Sequence, residues 1–175
     1  MDIAIIGKNS LRLKGREATF VVDPAKDMDK TPADAVILLN GLGNIDTLRV
    51  TGFRIIINGA GGYEVGGSKI TGSKTPKGTL YRISIDDVII ILGRSTDAKI
   101  EGFSACQVLI VDTNSDFNES FVTAVTAMEP KIAVLYGEKK LEVAKALGAE
   151  NVALVSKISI TKDKLPDKME IAVLG

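Results

Sequence analysis

Histidine is absent from all 175 residues, and that absence removes whole classes of chemistry. Imidazole is the commonest protein ligand for zinc and the default proton acceptor near neutral pH. Without it, no Ser-His-Asp triad, Cys-His pair or histidine-ligated zinc centre can be built from this chain. Tryptophan is absent too, and cysteine occurs once, at Cys106, so no disulfide framework is available. A lone thiol ahead of the apolar run 108–111, with no histidine to lower its pKa, reads as a small buried residue and not as a nucleophile. No excess of either charge exists. Lys plus Arg and Asp plus Glu each number 22, which excludes the basic footprint of a nucleic-acid binder. Long apolar runs are missing as well: the longest are strand-sized, so no membrane span is expected, and with a single cysteine and no leader pattern the expected compartment is the cytoplasm.

What remains is 45% hydrophobic, enough for a full core without metal or disulfide staples, and the expected organisation is one domain over residues 1–175. The first half reads as short strands punctuated by glycine. Residues 3–6, the alternating pair Leu11 and Leu13, and residues 18–22 predict an antiparallel meander. Further strands are expected at 35–39, 53–57, 63–71, 79–85 and 88–92, with Asp86-Asp87 as a tight turn. The continuous run 88–92 suits a strand buried on both faces. After residue 106 the rhythm changes to strand-helix units. Strands at 108–111, 132–135, 152–155 and 171–174 alternate with two amphipathic helices. The first is expected to start in a capping box of Asp116 and Glu119, with Phe117, Phe121, Val125 and Met128 on its buried face. The second ends at Gly148, and residues 162–168 read as a polar connector.

Four stretches, taken in order, resemble the metallo-β-lactamase superfamily, in particular its small zinc-dependent hydrolase branch related to the ascorbate-phosphate lactonases. Ile6-Gly7-Lys8-Asn9-Ser10-Leu11-Arg12-Leu13 is similar to the opening strand pair, where Gly-His-Ser is usual. Val21-Val22-Asp23-Pro24 resembles the Asp-Pro strand end. Ala33-Asp34-Ala35-Val36-Ile37-Leu38-Leu39-Asn40-Gly41-Leu42-Gly43-Asn44 resembles the strand and metal loop. Gly59-Ala60-Gly61-Gly62-Tyr63-Glu64-Val65 is close to a Gly-Pro-Gly-Glu-Tyr-Glu-Val segment of that branch. The fold so implied is α/β: an αβ/βα sandwich of two packed mixed sheets with outer helices.

Where this sequence departs from the pattern, it departs at the chemistry. The metal-loop positions that the resemblance assigns to histidine and aspartate read Asn40, Leu42, Asn44 and Ile45. Aliphatic side chains offer no lone pair, and neutral amides are poor zinc ligands. The Leu-Gly-Asp strand end, whose aspartate bridges two metals, matches Leu92-Gly93-Arg94, and a late histidine position matches Gly137. The resemblance therefore implies a catalytically inactive homologue without a zinc site and without a cofactor, serving as a binding or assembly module for an unknown partner, most simply a second copy of itself.

Several polar groups survive at these places. Asp23 fits a corner carboxylate that accepts backbone N–H groups, and Asp116 fits a helix cap. Arg94 is expected to replace bound cations by pairing with a carboxylate, Asp23 first and Asp112 second. Ser10 and Ser95 have no base to activate them. Two other functions are open. Asp23, Asp112 and Asp116 could form a relocated carboxylate site for magnesium or manganese in a working hydrolase. Arg94 and the glycine-rich loops 41–43 and 59–62 could instead bind a small anion or nucleotide, although neither loop has a P-loop ending.

Overall fold

The structure, a computed structural model of the chain, describes residues 1–39, 41, 45–97 and 106–175. From the N-terminus run β1 (Asp2–Ile5), β2 (Leu11–Lys14), β3 (Thr19–Val22), β4 (Thr31–Pro32), β5 (Ala35–Ile37), β6 (Val50–Thr51) and β7 (Ile55–Ile57). Next come β8 (Gly61–Val65), β9 (Ser68–Thr75), β10 (Gly78–Ile85), β11 (Val88–Arg94) and β12 (Val108–Asp112). The rest is α1 (Glu119–Met128), β13 (Ile132–Tyr136), α2 (Lys140–Ala146), β14 (Leu154–Val155), β15 (Lys157–Ser159) and β16 (Glu170–Leu174).

Short connections make β1, β2 and β3 neighbours, and they form the expected antiparallel meander with Ile3 opposite Leu13 and Leu13 opposite Phe20. β5 and β7 then add in parallel, and β15 returns to pair with β1, giving a six-stranded sheet ordered β15-β1-β2-β3-β5-β7. The second sheet has eight strands, β14-β16-β13-β12-β11-β10-β9-β8. Its β8–β11 part is antiparallel and its β11–β12–β13–β16 part parallel, so β11 is the strand where the two patterns meet. This position explains the unbroken apolar run of β11, which needs cover on both faces.

Alternation along each strand sorts the core into three layers. Between the sheets lie Ile3, Leu13, Phe20 and Ile37 of the first sheet against Ile83, Ile90, Val108 and Val134 of the second. Full burial of each such side chain stabilises the fold by roughly 1.5–3 kcal/mol. On the outer face of the eight-stranded sheet, Ile91, Leu109, Leu135 and Val173 pack against Phe121 and Val125 of α1 and Val143 and Ala144 of α2. The outer face of the six-stranded sheet is covered differently. There Val21, Val36 and Leu38 pack with Met28 and Ala33 from the connections between strands and with Val50 of β6. Among the described residues, the helical layer is on one side only.

The expected elements are altered in three places. The run 63–71 is a hairpin, split by Gly66-Gly67, whose φ angles of 52° and 71° give a tight turn that side chains resist. Asp116 does not cap α1. Asn118 does, its side chain accepting the Phe121 N–H at 3.1 Å, because the helix begins two residues later than the Asp116–Glu119 spacing requires. β15 was absent from the sequence expectation, and the strand placed at 152–155 is only Leu154–Val155. α2 ends at Gly148 as expected, and the connector 162–168 contains one short 3-10 turn, Lys162–Lys164. Among the described residues, no helix is long and apolar enough to cross a membrane.

Candidate functional site

Register places three polar side chains in one row. Arg94 is paired with Asp112, and Asp112 with Tyr136, at the C-terminal ends of the parallel strands β11, β12 and β13. Counting by twos from core residues Ile90, Val108 and Val134 puts all three on the inner face. The opposite sheet contributes Asp23 just past β3, at φ 44°, a left-handed corner that aspartate tolerates better than most residues. Its Oδ1 accepts the Leu39 N–H at 2.9 Å, and its main-chain carbonyl accepts the Ser10 hydroxyl at 2.8 Å. Asp23 is thus the corner carboxylate its sequence context suggested.

Burial dominates the electrostatics here. It pushes the Asp23 carboxyl up to about 7; the Leu39 N–H opposes the rise, the Asp112 charge adds to it and the Arg94 charge offsets part of it. Asp112 is also raised by burial, against bonds from Asn114, whose N and Nδ2 lie 2.9 and 2.6 Å from Oδ1. The Tyr136 phenol is raised well above its ordinary value by burial and by the neighbouring Asp112 and Asp23 charges. Its hydroxyl has no hydrogen-bond partner among the described residues.

Arg94 is buried, and its pairing differs from the expected one. Its Nε donates to Asp97 Oδ2 at 2.9 Å and its Nη2 to Asp97 Oδ1 at 3.2 Å. The chain turns immediately after β11, with the Asp97 N–H on the Arg94 carbonyl at 2.9 Å, and this brings the carboxylate back to the guanidinium. Asp23 and Asp112 feel the Arg94 charge without being the partners in that fork. Asp97 also accepts the Thr75 hydroxyl at 2.8 Å, which ties the β9–β10 hairpin into the site. On that hairpin a Cβ at Gly78 would stand 2.7 Å from Arg94 Nη2 and 2.3 Å from the Leu39 carbonyl oxygen. Gly78 therefore packs against both Arg94 and Leu39, the residue whose N–H holds Asp23.

The remaining candidates scatter. Asn40, Leu42 and Asn44 lie outside the described residues. Ile45 packs on the outer-face cluster of Val21, Val36 and Leu38, away from the inner row. Asp116 is exposed, its carboxyl lowered by its hydrogen bond to Lys139, and it is no part of the inner row. Gly137 has φ 108°, and a Cβ there would meet Asn114 N and Oδ1 at 3.0 Å. Ser95 donates to the Ser115 carbonyl at 3.1 Å, and burial pushes the Cys106 thiol up to about 11, so neither is an activated nucleophile. Gly59 of the glycine-rich segment gives its N–H to the Tyr81 hydroxyl at 3.0 Å.

Zinc does not fit this donor set. The inner row and its neighbours offer three carboxylates, Asp23, Asp97 and Asp112, and a phenol beside a guanidinium, and no imidazole exists to complete a tetrahedral site. Among the described residues, no group of three His, Cys, Asp or Glu side chains could hold a metal. Sequence reasoning missed Asp97, Thr75 and Tyr136. The signal for Asp97 was the three-residue spacing Arg94-Ser95-Thr96-Asp97 directly after an apolar strand.

The arrangement of the sheets is shared with known proteins. A protein from Thermotoga maritima, assigned as a Zn-dependent hydrolase of the metallo-β-lactamase superfamily, matches with TM-score 0.77 and 18% identity, covering 99% of this chain and 98% of that one. Zn(2+)-bound PqqB from Methylobacterium extorquens matches with TM-score 0.58 and 11% identity, covering 91% of this chain and all, 100%, of that one. No protein-family model matches the chain, and no curated protein matches it. The chain has the metallo-β-lactamase fold.

Proposed function

We propose that this chain is a catalytically silent form of the metallo-β-lactamase fold that acts as a binding or assembly module. The observation that carries this reading is Arg94, a cation buried at the strand end where the resemblance expects a carboxylate shared by two metals. A fixed guanidinium held by Asp97 disfavours a metal cation beside it and takes over the charge balance that a metal would supply. The absence of histidine from the whole sequence supports the same conclusion.

In this reading residues 1–175 act as one domain in the cytoplasm and associate most simply as a homodimer. An open sheet edge supports association: β8 ends the eight-stranded sheet with Gly61 and Gly62 exposed and Glu64 as its one charged side chain. The relocated carboxylate hydrolase has less support, because Asp116 is exposed and paired with Lys139 while Asp112 is buried and held by Asn114. Anion binding at Arg94 has less support as well, because the guanidinium is buried and its charge is already matched by the Asp97 carboxylate. Metal analysis of the purified protein, with light scattering on the same sample, tests the proposal. The expected result is no stoichiometric zinc, manganese or magnesium and a mass above that of one chain. Stoichiometric zinc, or metal-dependent ester, lactone or phosphodiester hydrolysis lost in Arg94→Ala, would overturn the silent reading.

A further inference from the structure

We propose that two copies of this chain pair about a two-fold axis at the flank of α2 and the β14 edge of the eight-stranded sheet, each copy seating its Leu154 in a hollow of the other. The inference deepens the assembly reading above and rests on it. It begins where the outer layer of that sheet runs out. Val143 and Ala144 of α2 pack with Leu135 of β13 and Val173 of β16. β14 lies one strand further out, at the edge. Its register with β16 sets Leu154 beside Val173, on the helix-bearing face, and Val155 beside Leu174, on the inner face. Val155 packs against the core between the sheets, whereas Leu154 is 51% exposed.

Next to Leu154 the surface is concave. α2 and the turn after it border a hollow of about 530 Å3 whose apolar wall is Leu141, Ala144, Ala149 and Val152. Val152 belongs to the outer-face cluster and stands two residues before Leu154, so the hollow and the exposed leucine share one face. Leu141 is 53% exposed. Two of the five large apolar side chains exposed among the described residues therefore flank this one hollow. A patch that carries a knob beside a hole is self-complementary under a two-fold axis, since the knob of each copy faces the hole of the other.

The charges fit the same axis. Lys145 and Glu150 both border the hollow and both are exposed. Neither has an ion-pair partner among the described residues. A two-fold axis between them sets Lys145 of each copy opposite Glu150 of the other. Covering Leu141 and Leu154 supplies the drive for association, and the two charge pairs fix its register. The opposite edge of the sheet lacks these features: β8 begins with Gly61 and Gly62, which have no side chain to bury, and Glu64 stands exposed on it.

The test is sedimentation velocity over a concentration series. The wild type should form a reversible dimer. Leu154→Asp should raise its dissociation constant at least about tenfold. Leu48→Asp, at a leucine 82% exposed on the connection before β6, should leave it unchanged. Lys145→Glu and Glu150→Lys should each weaken the dimer about tenfold, because each sets like charges together, and the variant carrying both should return to within about threefold of wild type. If Leu154→Asp does not fold, the charge exchange at the exposed Lys145 and Glu150 decides alone. A dimer that the single charge reversals leave intact, a double variant no tighter than the single ones, or a dimer weakened as much by Leu48→Asp as by Leu154→Asp would overturn this interface and leave the assembly reading standing. The mass of one chain at every concentration would overturn the homodimer itself.

Discussion

Arg94 and Asp97 form a buried fork in which Nε and Nη2 of the one meet Oδ2 and Oδ1 of the other at 2.9 and 3.2 Å. The planar match uses the feature that separates arginine from lysine, and the side chains are only 8% and 1% exposed. The fork fixes the end of β11, and through Thr75 it fixes the β9–β10 hairpin as well. Breaking it from one side leaves an uncompensated buried charge. Asp97→Ala is therefore expected to cost about 3–5 kcal/mol in urea unfolding, and Arg94→Ala a similar amount. Arg94→Met combined with Asp97→Leu should cost clearly less than either single change. A double variant as damaged as the sum of the two would show that the pair does not act as a unit.

Stability should peak on the acid side of neutral. Asp23 has its folded value raised to about 7 from 3.8, so the folded state holds that proton more tightly than the unfolded chain does. Its contribution is most favourable below the unfolded value, declines as pH rises toward about 7, and is level above that. Asp2, lowered by the Ser159 hydroxyl, and Asp86, where the Arg16 N–H and the N-terminal ammonium outweigh burial, work in the opposite sense: their stabilisation is lost as pH falls through their folded values. Denaturant unfolding is expected to show a maximum at about pH 5 and a loss of about 2–4 kcal/mol by pH 8. In Asp23→Asn that loss should largely vanish. A wild-type profile that rises from pH 5 to 8 would contradict the raised value.

Tyr81 connects the sheets through a single oxygen. Its hydroxyl donates to the Leu38 carbonyl at 2.9 Å, lies 3.3 Å from the Ile57 carbonyl, and accepts the Gly59 N–H at 3.0 Å. Tyr81→Phe leaves the ring packed and strands these buried groups, so a cost of about 1–3 kcal/mol is expected from unfolding curves. The same curves should keep their denaturant slope, since the surface buried on folding is unchanged.

How much of this could be read in the residues depended on whether the deciding interaction was local. The meander of β1–β3 was legible because Leu11 and Leu13 alternate with Arg12 and Lys14 and the turns are short. β11 was legible as an inner strand because only a strand covered on both faces tolerates Val88-Ile89-Ile90-Ile91-Leu92. The hairpin at Gly66-Gly67 was missed because Tyr63, Val65, Ile70 and Thr71 keep strand character on both sides of it. β15 carries a single apolar residue, Ile158, and is a strand only because β1 offers it an edge. At the site, the corner role of Asp23 was local and readable. The choice of Asp97 over Asp23 by Arg94 was not, because it depends on how tightly the chain turns after β11. The row Arg94–Asp112–Tyr136 depends on register across three strands distant in sequence.

Single histidines should not bring zinc back. The resemblance places ligands at Asn40, Leu42, Asn44, Ile45, Arg94 and Gly137, and Asn40→His or Leu42→His supplies one donor of the four a zinc site needs. Two of the other positions also oppose the metal. Arg94 contributes a buried cation, held by Asp97. Gly137 cannot take a side chain cheaply: its φ is 108°, and a Cβ would press on Asn114 at 3.0 Å, the residue whose N and Nδ2 hold Asp112. Gly137→Ala alone should therefore cost about 1–3 kcal/mol, and Gly137→His at least as much. Equilibrium dialysis against zinc should show no stoichiometric binding by Asn40→His or Leu42→His. Tight zinc binding by either variant would mean that the missing donors are already in place, and that the centre is a metal site one residue short instead of one rebuilt around Arg94.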